Sequence, residues 1–83
     1  MTISKGDILL KEGIKKKELG DYEGAFRKWE EAVHFYRDRG EEKKLVQVYH
    51  LFGSSYLDIN HYEECLKYFR QTQTLSEKMK YPD

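Results

Sequence analysis

Residues 20–29 read GDYEGAFRKW and residues 60–69 read NHYEECLKYF, so this 83-residue chain carries one phrase twice at a spacing of forty. Sliding the sequence against itself by that spacing brings Gly13 onto Gly53, Leu19 onto Ile59, Gly20 onto Asn60, Tyr22 onto Tyr62, Glu23 onto Glu63, Ala25 onto Cys65, Phe26 onto Leu66, Trp29 onto Phe69 and Phe35 onto Leu75. Few of these are identities, yet nearly all keep size or conformational role. A fixed period of this kind marks an array of like supersecondary units, each unable to bury its apolar face alone.

Each unit reads as two helices. Residues 6–19 place Leu9, Gly13 and Leu19 near one stripe. Gly20 supplies the left-handed residue that ends a helix, and Asp21 caps a second helix carrying Tyr22, Ala25, Trp29, Ala32 and Val33 at helical spacing. In the second unit Asn60, the next most tolerant residue, takes the left-handed place, and Tyr62, Cys65, Phe69 and Thr72 repeat the stripe. The spacing predicts helices over 4–19, 21–38, 42–59 and 61–79. So short a connection forces adjacent antiparallel helices, with Gly13 against Ala25 and Gly53 against Cys65 where the axes come closest. The expected fold is all-α: four helices in two antiparallel helix–turn–helix repeats, one domain over 1–83 with repeat 1 at 6–40 and repeat 2 at 46–80.

Composition supports this and excludes several functions. Charged residues make up 36% of the chain, above the roughly 25% of an average domain, which suits long solvated helices. Fifteen basic and fifteen acidic side chains cancel, which argues against nucleic acid or an anionic membrane as the partner. Proline occurs once, at Pro82, so nothing breaks a helix before the last two residues. The single cysteine, Cys65, has no partner for an internal disulfide, and no apolar run reaches the length of a signal-peptide core or a membrane span. A soluble protein of the reducing cytoplasm is expected.

The register resembles the tetratricopeptide repeat (TPR). That signature runs aromatic, leucine, glycine, tyrosine, alanine, aromatic and proline. Tyr49, Phe52, Gly53, Tyr56, Tyr62, Cys65 and Phe69 fit it in the second unit, and Leu9, Gly13, Tyr22, Ala25, Trp29 and Ala32 in the first, so the match covers residues 6–77. The resemblance implies a TPR-like α-solenoid of two repeats. The period of forty exceeds the usual period of about 34, the extra residues lying in RDRGEEKK, and resembles the longer-repeat subclass of spindle-orientation scaffolds that carry GoLoco motifs. The usual proline is absent at Arg37 and Glu77, which implies longer helices and a softer connection between units.

Glu12 and Lys16 stand where the family has apolar residues. They form an i,i+4 pair in the favourable order and read as the solvated outer face of a terminal repeat. At the other end, Pro82 suits the first turn of a third unit's helix, so the chain is expected to be a fragment of a longer repeat protein.

Chemistry-bearing residues receive plain readings. His61 and Cys65 have a ligand-compatible spacing with Glu64 nearby, but no second ligand pair follows, so Cys65 is read as interhelical filler and His61 as a weak cap; no metal or cofactor is expected. Ser54, Ser55, His34 and His50 lack a recognisable acid or oxyanion-forming loop, so no enzyme is expected. Lys15, Lys16 and Lys17 are bracketed by Glu12, Glu18 and Asp21 and read as a solvated face.

By the resemblance, the first helix of each unit lines a concave surface that holds peptides. The residues concerned are Asp7, Leu10, Ile14 and Lys17, then Gln47, His50, Ser54 and Asp58. The lysine–asparagine clamp by which chaperone-binding members hold a terminal carboxylate is missing, so a mixed apolar and polar groove is expected. Alternatively, Leu10 and Ile14 pack against Ile3 or a neighbouring chain.

Two units are fewer than the roughly three such stacks need, so the face of Tyr49, Phe52 and Tyr56 is expected to remain partly uncovered, its cover being a third repeat or a second copy. The linker 37–44 holds one glycine and no proline, and could run as continuous helix to exchange hairpins in a homodimer. Two functions thus stay open: a non-catalytic scaffold module binding a protein or peptide partner, and a self-assembling structural unit. An unrelated helical bundle would show contacts that ignore the forty-residue register.

Overall fold

A computed structural model describes residues 3–80, the side chain of Lys80 excepted. The fold is all-α, with α1 at Lys5–Glu18, α2 at Tyr22–Asp38, α3 at Glu42–Asp58 and α4 at Tyr62–Lys80. These bounds lie within one residue of those expected. Pro82 lies outside the described residues.

The helix ends explain this agreement. Beyond α1, Gly20 has φ +83°, its N–H donates to Lys17 O at 2.9 Å, and Asp21 N–H donates to Lys16 O at 2.8 Å. Beyond α3, Asn60 has φ 64°, its N–H donates to Leu57 O at 3.0 Å, and His61 N–H donates to Tyr56 O at 2.8 Å. Both are Schellman closures, which satisfy orphan carbonyls only if one residue turns left-handed. Asp21 then accepts from Gly24 N–H at 2.9 Å and starts α2, as Ser4 accepts from Asp7 N–H at 3.1 Å to start α1. Asp21→Ala is expected to cost about 1 kcal/mol, the usual value of an N-cap, read as a lower urea midpoint at unchanged slope. At residues 39–41 Gly40 has φ +67° and its N–H donates to Arg37 O at 3.1 Å, so α2 and α3 are separate helices as expected, and the alternative of one continuous helix across 37–44 is not adopted.

The chain divides into two compact units, Met1–Gly40 and Glu41–Asp83, which match the two arms of the forty-residue register. In the first, α1 packs on α2; in the second, α3 packs on α4.

In the first unit the contact is glycine against ring, not small residue against small residue as expected. A Cβ added to Gly13 would overlap the indole of Trp29, and one added to Gly6 would lie 2.6 Å from Tyr36 Cε1. Gly6 and Gly13 are seven residues apart on α1, and Trp29 and Tyr36 seven apart on α2, so an antiparallel pair meets at two successive levels. Each ring also donates a hydrogen bond: Trp29 Nε1 to Leu10 O at 3.2 Å, and Tyr36 Oη to Asp7 Oδ1 at 2.5 Å. The close approach that glycine permits is what brings these acceptors within reach. Ala25, Trp29, Ala32, Val33 and Tyr36 are buried, and burying each large one contributes about 1.5–3 kcal/mol.

The second unit keeps one such contact. Phe69 covers Gly53, with Phe69 Cε1 2.5 Å from a Cβ placed there, but phenylalanine has no proton to donate. Forty residues on from Gly6 and Tyr36 stand Val46 and Ser76.

Three further expectations are corrected. Leu19 is 77% exposed and Tyr62 59% exposed, so neither belongs to the core stripe. Leu19 is the C-cap of α1, where side-chain direction no longer follows the helical period. Glu12 and Lys16 do not pair with each other; Lys28 Nζ lies 3.4 Å from Glu12 Oε1 and Lys16 Nζ 3.8 Å from Asp21 Oδ2, because each side chain reaches past α1 to the residues that follow it.

Candidate functional site

The surface row of α1 begins at Asp7, half-buried and holding the Tyr36 hydroxyl. Leu10 and Ile14 follow one and two turns on, both half-buried, and Lys17 closes the row, also half-buried. Leu10 contributes its carbonyl to Trp29 while its side chain keeps partial access to solvent. Ile3 is 62% exposed and so buries little of itself against this row. On α3, Gln47, His50 and Asp58 are exposed and Ser54 is half-buried. Ser54 Oγ donates to Leu51 O at 3.2 Å, which turns its hydroxyl back onto its own helix. The His50 ring lies 5.9 Å from the Phe69 ring, which anchors one side of that imidazole. Of the eight expected residues, therefore, Asp7 is committed to a hydrogen bond from α2 and Ser54 to one within its own helix, and Leu10, Ile14, Gln47 and His50 present side chains to solvent in helical rows.

The aromatic face expected to be uncovered is filled within its own unit. Tyr49 is 6% exposed and Phe52 1% exposed, while Tyr56 is half-buried. Tyr68 of α4 lies among them: its ring is 4.5 Å from Phe52 at an interplanar angle of 9°, 5.8 Å from Tyr56 at 12° and 5.9 Å from Tyr49 at 40°. Parallel rings at these separations are an attractive offset arrangement. Tyr68 follows Cys65 by three residues, so the helical period carried the signal; the stripe drawn through Phe69 and Thr72 passed beside it. Tyr36, seven residues from Trp29, was legible in the same way.

On the same helix as Phe52, Ser55 is fully buried, and its hydroxyl makes no hydrogen bond among the described residues. A buried hydroxyl without a partner carries its desolvation cost unreturned. Ser55→Ala is therefore expected to stabilise the protein by about 1 kcal/mol, helped by the better helix propensity of alanine, and thermal melts of the two proteins compare them directly.

The first unit also carries a charged cleft of about 320 Å³ lined by Lys16, Asp21, Glu23, Gly24, Arg27, Lys28 and Glu31. Both signs line it, and two of its lysines are already in ion pairs, so it does not select an ion of one charge. The chemistry-bearing residues remain scattered. His61 Nδ1 lies 4.0 Å from Glu64 Oε1, Cys65 is buried as interhelical filler, and no group of three or more His, Cys, Asp or Glu side chains gathers among the described residues. His34 is exposed, and in the second unit Ser55 is buried while His50 is exposed. No helix among the described residues is long and apolar enough to cross a membrane.

Comparison with protein-family models, with curated proteins and with solved structures finds no match to this chain.

Proposed function

We propose that this chain is a non-catalytic, TPR-like interaction module of the cytoplasm that holds a peptide or helix of a partner protein along the first helix of each hairpin. The observation that carries the reading is the division of labour within the hairpins. Trp29, Tyr36 and Cys65 are consumed by packing, whereas Leu10 and Ile14 on α1, and Gln47 and His50 on α3, keep solvent access at helical spacing. Mixed apolar and polar rows on a rigid helix suit recognition of another helix or an extended segment, with aliphatic anchors for affinity and polar groups for orientation.

The test is a phage-displayed library of random dodecapeptides followed by titration of the best binder. One-to-one saturation that weakens about tenfold or more in Leu10→Asp and in His50→Asp, with Leu19→Asp unchanged, supports the proposal. Equal affinity across all three variants overturns it.

A second reading, a self-assembling unit that pairs with its own copy, draws on Leu57, Tyr62 and Leu66, which are 47%, 59% and 57% exposed on the second unit. Light scattering over a concentration series decides between them: an obligate dimer that takes no peptide supports this second reading, and a monomer that saturates with peptide overturns it.

A further inference from the structure

The two hairpins share a register but are not fastened alike. Among the described residues of α4, Cys65 is the one buried side chain, while α2 buries Ala25, Trp29, Ala32, Val33 and Tyr36. Tyr68, Phe69, Thr72, Leu75 and Met79 are half-buried. Where α2 has Trp29 and Tyr36 each seated on a glycine and each donating a hydrogen bond to α1, α4 has Phe69 on Gly53 with no proton to give, and Ser76 in the place of Tyr36. Near its end α4 is joined to α3 by Lys78 Nζ, 3.4 Å from Glu42 Oε2, with the lysine side chain 69% exposed. The glutamate end is 34% exposed with Oε2 itself buried, so it is the solvated lysine end that makes this pair weak. On the α3 side, the buried Ser55 hydroxyl without a partner weakens the same unit further.

From this asymmetry we propose that α4 is a detachable strap. It undocks from α3 as a local opening while α1 and α2 stay closed, and Tyr68 is the internal occupant of an aromatic cradle formed by Tyr49, Phe52 and Tyr56. Local openings of this kind are drawn from the elements with the least buried apolar surface and the fewest protected contacts. The strap stacks Tyr68 flat on Phe52, so opening uncovers three rings in one helical row, spaced by three and four residues. That surface exists only when Tyr68 leaves it. This inference stands apart from the peptide rows on α1 and α3, which need no opening.

The chain carries a native probe in each unit, since its single tryptophan, Trp29, is buried in the first and its single cysteine, Cys65, in the second. The experiment follows Trp29 emission and the reaction of Cys65 with a thiol-reactive disulfide reagent on the same urea series. The expected result is Cys65 labelling in native buffer, through openings that leave Trp29 emission unchanged, with hydrogen exchange faster across 64–80 than across 24–38. Tyr68→Ala is expected to speed labelling about tenfold without shifting Trp29 emission, and Tyr68→Phe, which keeps the ring, to leave the rate within about twofold. Coincident Cys65 and Trp29 transitions, or equal exchange protection in α2 and α4, would overturn the proposal using the unaltered protein alone.

Discussion

Gly13→Ala is expected to destabilise the first unit by about 2–3 kcal/mol, although alanine is the better helix former by about 1 kcal/mol. The added Cβ would overlap Trp29 Nε1 and lie 2.5 Å from Cδ1 and 2.9 Å from Cε2 of the same ring. The ring has nowhere to retreat, being fully buried with Phe26 at 6.0 Å on another side. Moving it also breaks the hydrogen bond to Leu10 O, worth about 1 kcal/mol, and strands a buried indole N–H. The overpacking and the lost bond together exceed the propensity gain. Urea unfolding followed by the emission of Trp29 measures the change at its source. Gly53→Ala is the informative comparison: Phe69 is half-buried and makes no such bond, so its ring can swing outward and the cost is smaller. If Gly13→Ala raised the midpoint, the glycine–ring contact would be wrong.

Phe52→Ala is expected to cost about 3–5 kcal/mol, the range for removing a buried aromatic and leaving a cavity. Phe52 is buried beneath Tyr68 and also stacks at 6.3 Å on Tyr56, so its loss removes the floor of the aromatic cluster that joins α4 to α3. At roughly 0.05–0.15 kcal/mol per residue, a unit the size of Glu41–Asp83 holds only a few kcal/mol of stability, so a loss of that order is enough to melt the second hairpin near room temperature. Near-UV circular dichroism should lose the tyrosine contribution of Tyr49, Tyr56 and Tyr68 and keep that of Tyr36, while Trp29 emission stays that of a buried indole. Tyr56→Ala, at a half-buried position, should cost less than half as much. Equal losses for the two variants would mean that the cluster is not centred on Phe52.

The sequence made the helices legible because their ends are written in residues with one conformational meaning. Gly20, Asp21 and Asn60 specify left-handed turns and a cap, and such local chemistry does not depend on what packs nearby. The division near residue 40 was legible for the same reason once the register was noticed. Contacts between helices were less so. Pairing Gly13 with Ala25 treated close approach as a matter of matched small volumes, whereas a glycine is also a socket for a large ring. Tyr22 and Tyr62 look equivalent in the register, but the first is half-buried with the Phe26 ring 6.3 Å away, and the second is mostly exposed, Leu66 standing where the first unit has Phe26. Of the surface rows, Leu10 and Ile14 were found by their position off the core stripe, while the commitment of Asp7 to Tyr36 depends on a bond across 29 residues that no local pattern announces.

That span has a consequence for how the protein comes into being during synthesis. Among the interhelical hydrogen bonds described above, Tyr36 to Asp7 has the longest reach, so the first hairpin can complete its contacts as soon as residue 36 clears the ribosome, before α3 has emerged from it. Closing loops this short carries little entropic cost, and topologies dominated by near neighbours fold in microseconds to milliseconds. A nascent chain of this design spends little time with bare aromatic side chains in a crowded cell, where they would adhere to whatever is near.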